Sequence, residues 1–565
     1  MMGQRLAIFG FALAGFAGCF SLQCAGQVQP SAVSHTHPWW RPSVIYEVYP
    51  RSFADSNNDG IGDLNGIASK LDYLEALGVD GIWITPCYPS PQKDFGYDVS
   101  DYTSIDPMYG TLADFNRLVE QGKQHHIRVL MDFVLNHTSD QNPWFLDSRS
   151  SRTSAHRDWY IWRDGKGPGQ PPNNWISDFG GSAWTWDAKT GQYYYHYFEA
   201  AQPDLNWRNP AVEKAMFDAA RFWYDRGVAG FRLDAVDTLF EDPALHDNPY
   251  VNGEMVNRFN DNLEENHAVL RRLRALSNHY DAVLLGETWT DNISQLKQYY
   301  GDHDDEIQLP MDFMFATINT LSAPKFRRQI DLIESSGEWP VFVITNHDME
   351  RSYNRYGDVV HNDQIAKLMA ALYLTLRGTA VMYYGEEIGM SNNDPQRLED
   401  VKDPLGRMDW PKNKGRDGER TPMQWSSALN AGFTEGTPWL PIPASYKTHN
   451  VVSELQDPAS ILNFYKRLLA LRRDNAAMRD GDSVDVMPDD PNVLCYLRRN
   501  GNHAVLVALN LSGEPQNLAP DLNQYGLGSA QATTLLTTMK LPPASLRHAV
   551  LDPFGVDIVA LDGSK

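Results

Sequence analysis

The chain has 565 residues, 42% of them apolar, which is enough to fill a large core and to build two to four domains. Its formal charge of −23 excludes a nucleic-acid or anionic-membrane surface as the working face, because both need basic patches. Aromatics reach 12%, with 16 Trp and 26 Tyr; core packing and the flat C–H faces of sugar rings explain them equally well.

Arg5 precedes an apolar run, Leu6 to Phe20, that ends near the small pair Ala25-Gly26. This is the layout of a secretory signal peptide over residues 1–26, and the run is short for a stop-transfer helix. The expected location is therefore the periplasm or the medium. Phe16-Ala17-Gly18-Cys19 also resembles a lipoprotein cleavage box, which leaves lipid anchoring at Cys19 as the lesser alternative. No later stretch reads as a membrane span. After cleavage only Cys87 and Cys495 remain, too few and too distant for a disulfide framework.

The mature fold opens at Pro38-Trp39-Trp40 and enters a first strand, Val44 to Pro50. In the loop beyond it, Asp55, Asn57, Asp59, Ile61 and Asp63 recur at every second position around Gly60. Carboxylates, an amide oxygen and the Ile61 carbonyl are hard donors, so a structural Ca²⁺ or Mg²⁺ is the favoured reading; a metal-free Asx-rich turn has the same composition. No organic cofactor is expected. A helix follows at about Asn65–Leu77, then a second strand, Asp80 to Pro86, with Asp94-Phe-Gly-Tyr97-Asp98 beyond its end. After another helical repeat comes a third strand, Arg128 to Leu135, ending at Asn136-His137-Thr138. Strand and helix alternate, with polar residues just past each strand end, as in a parallel α/β barrel whose chemistry sits on that face.

The period breaks over residues 139–206, which read as a small inserted domain. A helix with Met216, Ala220 and Trp223 restores it and leads to Gly230-Phe231-Arg232-Leu233-Asp234. Alternation along a strand puts Arg232 and Asp234 on one face. By itself that dyad serves as well for a structural strand-end pair as for a nucleophile kept ionised by its neighbour. A fifth strand ends in Gly286-Glu287, a weak sixth lies near Gln308–Phe313, a seventh ends in Asn346-His347-Asp348, and an eighth ends in Gly385-Glu386. A patternless polar loop, about Asp394–Thr421, precedes a closing helix at Ile461–Arg472. The fold expected is a (β/α)8 TIM barrel over 38–138 and 207–480, with an all-β domain over 481–565. The latter is signalled by two strands around Asn500-Gly501.

Barrel strand ends converge, so Asp234, Glu287 and Asp348 are expected around one pocket. Glycoside cleavage needs two carboxylates, one attacking the anomeric carbon and one protonating the leaving oxygen. The segments Asp132–His137, Gly230–Asp234, Gly286-Glu287, Asn346–Asp348 and Gln202–Asn206 resemble, in order, the signature regions of the α-amylase family, glycoside hydrolase family 13. The resemblance implies Asp234 as nucleophile, Glu287 as acid/base and Asp348 as transition-state stabiliser, with His137, Arg232 and His347 binding the glucose at the cleaved position.

Tyr46–Phe53, Asp94–Tyr97 and Arg420–Trp425 are similar to the α-glucosidase and oligo-1,6-glucosidase branch. That branch implies Asp94 and Arg420 gripping the non-reducing glucose, Tyr97 stacking on it, and a cation in the Asp55–Asp63 loop. The implied activity is retaining, exo-acting release of glucose from small oligosaccharides or disaccharides. Ala235 after the nucleophile favours α-1,4 links. A transglucosylase or a sucrose- or trehalulose-active enzyme is the alternative, and a non-catalytic carbohydrate-binding relative a distant one.

Overall fold

The computed structural model describes residues 37–165, 167, 169–540 and 549–562. The expected leader, residues 1–26, lies outside them. Eight parallel strands form the central sheet: β1 Val44–Val48, β2 Gly81–Ile84, β3 Arg128–Val134, β4 Gly230–Asp234, β5 Val283–Gly286, β6 Leu309–Pro310, β7 Val341–Val343 and β8 Thr379–Tyr383. Their spatial order is 6-5-4-3-2-1-8-7. A parallel bridge between Asp312 and Phe342 closes the ring, with the Asp312 amide donating to the Val341 carbonyl at 3.0 Å. The barrel is the one expected. Its strands are apolar runs buried on both faces, as a parallel sheet covered by helices requires.

Side chains alternate on β4 as the pleat demands. Phe231 points outward and packs on Tyr224 of the helix Pro210–Tyr224, with ring centroids 4.7 Å apart. Arg232 points inward, over the Trp83 ring of β2 at 4.8 Å. That helix starts where the sequence allows: Asn209 caps the Ala211 amide and Pro210 takes the first turn, where no N–H is needed.

Two expected elements differ. The helix expected at Asn65–Leu77 is two, Leu64–Ala68 and Leu71–Leu77. Ser69 Oγ turns back to the Gly66 carbonyl at 2.7 Å, and such a bond competes with helix continuation. The sixth strand shrinks to Leu309–Pro310, because Pro310 has no N–H to extend the ladder.

Between β3 and the Pro210 helix, residues 139–206 carry a three-stranded antiparallel sheet, Trp162–Arg163, Gln192–Tyr195 and Trp184–Asp187. Trp175 and Trp184 pack with Tyr193 and Tyr195 into its own core. A bridge from His137 to Asp204, and the Leu205 amide donating to the Asn136 carbonyl at 2.9 Å, tie it to the β3 end of the barrel.

The tail forms a five-stranded antiparallel sheet from Asp482 onward with a separate apolar core. Its hairpin pairs Asn500 with His503, so the turn is Gly501-Asn502, one residue later than the Asn-Gly signal; Gly501 takes φ +59°. Arg327, on the helix Ala323–Ser335, clasps this tail. It reaches Asp485 Oδ2 at 2.6 Å and the carbonyls of Val493, Met487 and Asp490 at 2.8, 3.1 and 3.1 Å. From the other side, buried Arg498 donates to the Thr375 carbonyl at 2.5 Å. The described residues from Trp40 onward form one compact unit. Among the described residues no helix is long and apolar enough to cross a membrane.

Candidate active site

The C-terminal ends of β4, β5 and β7 deliver Asp234, Glu287 and Asp348 to one cavity of about 490 Å³, a size that suits a small ligand. Arg232 has no exposed surface and organises its floor. Its Nη1 donates to Asp234 Oδ1 at 2.7 Å and to both Asp132 oxygens at 3.0 Å. Its Nη2 lies 2.6 Å from Glu287 Oε2, an ion pair without hydrogen-bond alignment. The expected dyad is therefore a cluster: Arg232 serves both Asp234 and Glu287.

Burial pushes the Asp234 carboxyl up, Arg232 pulls it down, and Glu287 and Asp132 push it up again. Burial likewise lifts Asp132 to about 6 against Arg232. Three buried carboxylates around one guanidinium carry more acid than base, so the cluster can hold a proton near neutral pH. Past Asp234 the chain turns sharply. Ala235 adopts φ +46°, a left-handed conformation rare for a residue with a Cβ. The turn aims its amide at Glu287 Oε2, 3.1 Å away. On the other side Trp289 Nε1 donates to Glu287 Oε1 at 3.2 Å, and its ring stacks on Phe313 at 4.1 Å.

Asp348 sits between two guanidiniums: Arg420 Nη2 at 2.6 Å and Arg416 Nη1 at 2.9 Å, both on Oδ1. Burial would raise its carboxyl, but His347, Arg416 and Arg420 hold it well below the usual range. Burial keeps His347 itself uncharged, so the two arginines carry the effect. His347 is fully enclosed. Its Nδ1 meets Glu47 Oε1 at 2.6 Å, and its Nε2 meets Tyr97 Oη at 2.8 Å. Tyr97 Oη also donates to Asp132 Oδ2 at 2.9 Å. Its ring stacks on His347 with 8° between the planes.

Asp94 and Tyr97, in the loop after β2, line the cavity together with His137. Burial drives the His137 imidazole down to about 3, which makes it a neutral hydrogen-bonding group. Its Nε2 is 3.1 Å from Gln202 Nε2, and Gln202 also donates to Asp94 Oδ2 at 3.2 Å.

The partner of Asp94 is Arg416, not the expected Arg420. Arg416 Nη2 reaches Asp94 Oδ1 and Asp403 Oδ1, both at 2.7 Å. Arg420 lies beneath Asp348, is 1% exposed, and donates to the His347 carbonyl at 2.8 Å. Arg232, His347 and Arg420 thus stand behind the cavity wall, holding the acids that form it. The sequence reading missed Arg416, Asp403 and the supporting role of Glu47. Arg416 lies in the polar loop after β8, where no periodicity marks it.

The Asp55–Asp63 loop is built from Asx turns. Asp55 Oδ2 accepts the Gly60 amide at 2.8 Å, and Asp59 Oδ1 accepts the Ile61 amide at 2.9 Å. Gly60 takes φ +92°, and a Cβ there would lie 1.9 Å from the Thr437 carbonyl. Asp55, Asn57, Asp59, Asp63 and the Ile61 carbonyl offer hard oxygen donors of the kind that Ca²⁺ and Mg²⁺ take. Asp63 also caps the helix Leu64–Ala68 through the Gly66 amide and binds Ser56. Among the described residues, Asp72, Glu75 and His125 are the group of acids and histidine whose donor atoms converge. Their surface cluster is an ion pair, His125 Nδ1 to Glu75 Oε2 at 2.8 Å.

A family model described as alpha amylase, catalytic domain, matches residues 47–481. The chain is 42% identical over 496 residues to a probable alpha-glucosidase of Rhizobium meliloti (strain 1021), covering 84% of this chain and 90% of that one. It is 40% identical over 512 residues to an oligo-1,6-glucosidase of Heyndrickxia coagulans, with 84% and 92% covered. The crystal structure of an alpha-glucosyl transfer enzyme superimposes with a TM-score of 0.86 at 40% identity, covering 93% of this chain and 100% of that one. With the acids of three strand ends gathered at one cavity, the chain belongs to the α-amylase family and is a glycoside hydrolase of the α-glucosidase type.

Proposed function

We propose that the protein is an exported, retaining, exo-acting α-glucosidase that frees glucose from the non-reducing end of short α-glucosides, with α-1,4 links favoured. The single observation that carries this reading is Arg232 gripping Asp234 and Glu287 with its two terminal nitrogens. Carboxyls held on one guanidinium sit at short range, as a retaining pair does; an inverting pair leaves room for a water between. Asp234 attacks the anomeric carbon while Glu287 gives its proton to the departing oxygen. Glu287 then takes a proton from water, which opens the glycosyl ester with the configuration restored. Asp348, kept ionised by Arg416 and Arg420, faces the positive charge that develops on the sugar. Asp94, bonded to Arg416 and Gln202, offers acceptors to the hydroxyls of the terminal glucose. Tying Asp94, Asp348 and Asp403 together supports a pocket closed behind that sugar. The loop at Asp55–Asp63 would hold a structural cation, and the leader would direct export.

Transfer to a sugar is the second reading, favoured by the likeness to the alpha-glucosyl transfer enzyme. Both readings use the same covalent intermediate. Incubation with maltose, isomaltose, trehalose and sucrose, followed through the anomeric protons by NMR, separates them. Glucose freed from an aryl α-glucoside, whose leaving group has no anomeric centre, should appear first as the α-anomer; β-glucose appearing first overturns retention, and new disaccharides from maltose or sucrose signal transfer. In Glu287→Gln the loss should be about 10–100-fold greater on maltose than on an activated aryl glucoside, which leaves without a proton. Equal losses would remove Glu287 from the acid role.

A further inference from the structure

Beyond Glu287 the cavity wall changes character. Asp237, Asp261 and Asp178 all line it, and Arg416 is the only Lys or Arg among the lining residues. Arg416 is already held by Asp94, Asp348 and Asp403. Every carboxylate on the glucose side has a guanidinium, through Arg232 or Arg416. Asp237 has none. It is 5% exposed, sits in the turn Val236–Thr238 just after the nucleophile strand, and accepts only from its own main-chain amide among the described residues. The Asn262 amide donates to the Asp237 carbonyl at 2.7 Å, which fixes Asp261 beside it. Among the described residues Asp261 is bonded by the neutral amide of Asn262 and by no cation.

We propose that the aglycone half of the pocket selects by charge: it admits ammonium-bearing and neutral leaving groups and turns away anionic ones, with Asp237 as the discriminating residue. The inference rests on Asp234 and Glu287 as the cleaving pair, since that pair defines which half holds the aglycone. A buried carboxylate without a counterion is costly, and a ligand that brings a cation removes the cost. An anionic aglycone instead adds one more negative charge to these crowded acids in a water-poor cleft, with Arg416, the cation of the lining, already engaged. Burial and mutual repulsion raise Asp237 and lift Asp261 to about 7, the strain that an incoming ammonium relieves.

The test uses three aryl α-glucosides whose leaving phenols differ at the para position: aminomethyl, hydroxymethyl and carboxymethyl. The methylene weakens the effect of the charge on phenol acidity, the remainder cancels when wild type and variant are compared on the same compounds, and no glycosidic linkage preference intervenes. Cleavage of the hydroxymethyl compound reads the α-glucosidase assignment by itself. The expected result is kcat/KM at least about tenfold higher for aminomethyl than for carboxymethyl. Asp237→Asn should shrink that ratio, and so should high salt. A wild-type ratio below about tenfold overturns the proposal, as does a ratio unchanged in Asp237→Asn. Should that variant fail to fold, Asp261→Asn is read in the same way.

Discussion

Replacing Arg416 with alanine should damage stability and activity together, in a pH-dependent way. The guanidinium, 12% exposed, meets Asp94 and Asp403 at 2.7 Å and Asp348 at 2.9 Å. Its removal strands Asp403, whose side chain is fully enclosed, with Arg420 Nη1 3.8 Å away as the remaining cation. Breaking a buried pair costs about 3–5 kcal/mol, and residual help from Arg420 places this case near 3. For a unit of roughly 520 residues the unfolding entropy is about 1.1 kcal/mol/K, so the expected fall in Tm is about 3 °C.

Burial would raise Asp403 and Asp348, but the arginines hold both low. A depressed carboxylate contributes stability above its unfolded pKa, about 3.9, and loses it as pH falls through the folded value. The Tm gap between wild type and Arg416→Ala should therefore be full at pH 7 and shrink below about pH 4. Because Asp94 and Asp348 lose their common anchor, kcat/KM on 4-nitrophenyl α-glucoside should drop about 10²–10³-fold. Thermal melts at the two pH values and steady-state kinetics measure both effects. Wild-type kcat/KM in the variant would refute the idea that Arg416 sets the geometry of the glucose side.

Burial pushes the Glu47 carboxyl well up, so it meets His347 as a neutral group. Glu47→Gln should keep activity within about threefold, whereas Glu47→Leu, which frees the imidazole, should lose about tenfold or more; equal activity in both dismisses the Glu47–His347 bond. Burial lifts Glu386 to about 7. The stability of its neutral form is present below about 4.5 and lost as pH rises through the folded value, so Glu386→Gln should gain up to about 2 kcal/mol on wild type between pH 5 and 8 in denaturant titrations. A flat difference across that range would count against it. EDTA should lower Tm by about 2–3 °C, Ca²⁺ should restore it, and Asp55→Ala should abolish the response; a melt indifferent to chelator removes the cation from the Asp55 loop.

The barrel was legible because its strands carry the near-continuous apolar runs that a doubly covered parallel sheet demands, and because strand ends in a closed ring must converge. That is why Asp234, Glu287 and Asp348 could be grouped across more than a hundred residues of sequence. Arg232 was legible as a neighbour of Asp234 by alternation, yet its second contact, to Glu287, is a tertiary event that β4 alone does not encode. Arg416 escaped for a stronger reason. It lies in a loop whose shape comes from what it touches, and nothing in Lys414-Gly415-Arg416-Asp417 marks which carboxylates it will reach. Arg420, four residues on in a recognisable motif, drew the assignment instead. The break at Ser69 and the shortened sixth strand are local choices, a hydroxyl bonding back and a proline without an amide, that periodicity does not weigh.

The clasp made by Arg327 has a consequence for how the gene can be cut. The catalytic match stops at residue 481, and the groups that satisfy Arg327 begin at Asp485. A barrel truncated at that boundary would keep a cation, 7% exposed in the whole chain, robbed of every acceptor that quiets it, and would leave the Thr375 carbonyl without Arg498. Shortened versions should therefore aggregate on expression, while a protease nick near Gly481 should leave two fragments that travel together on a sizing column. The β appendage is a keystone of the catalytic body and not luggage strapped to its back.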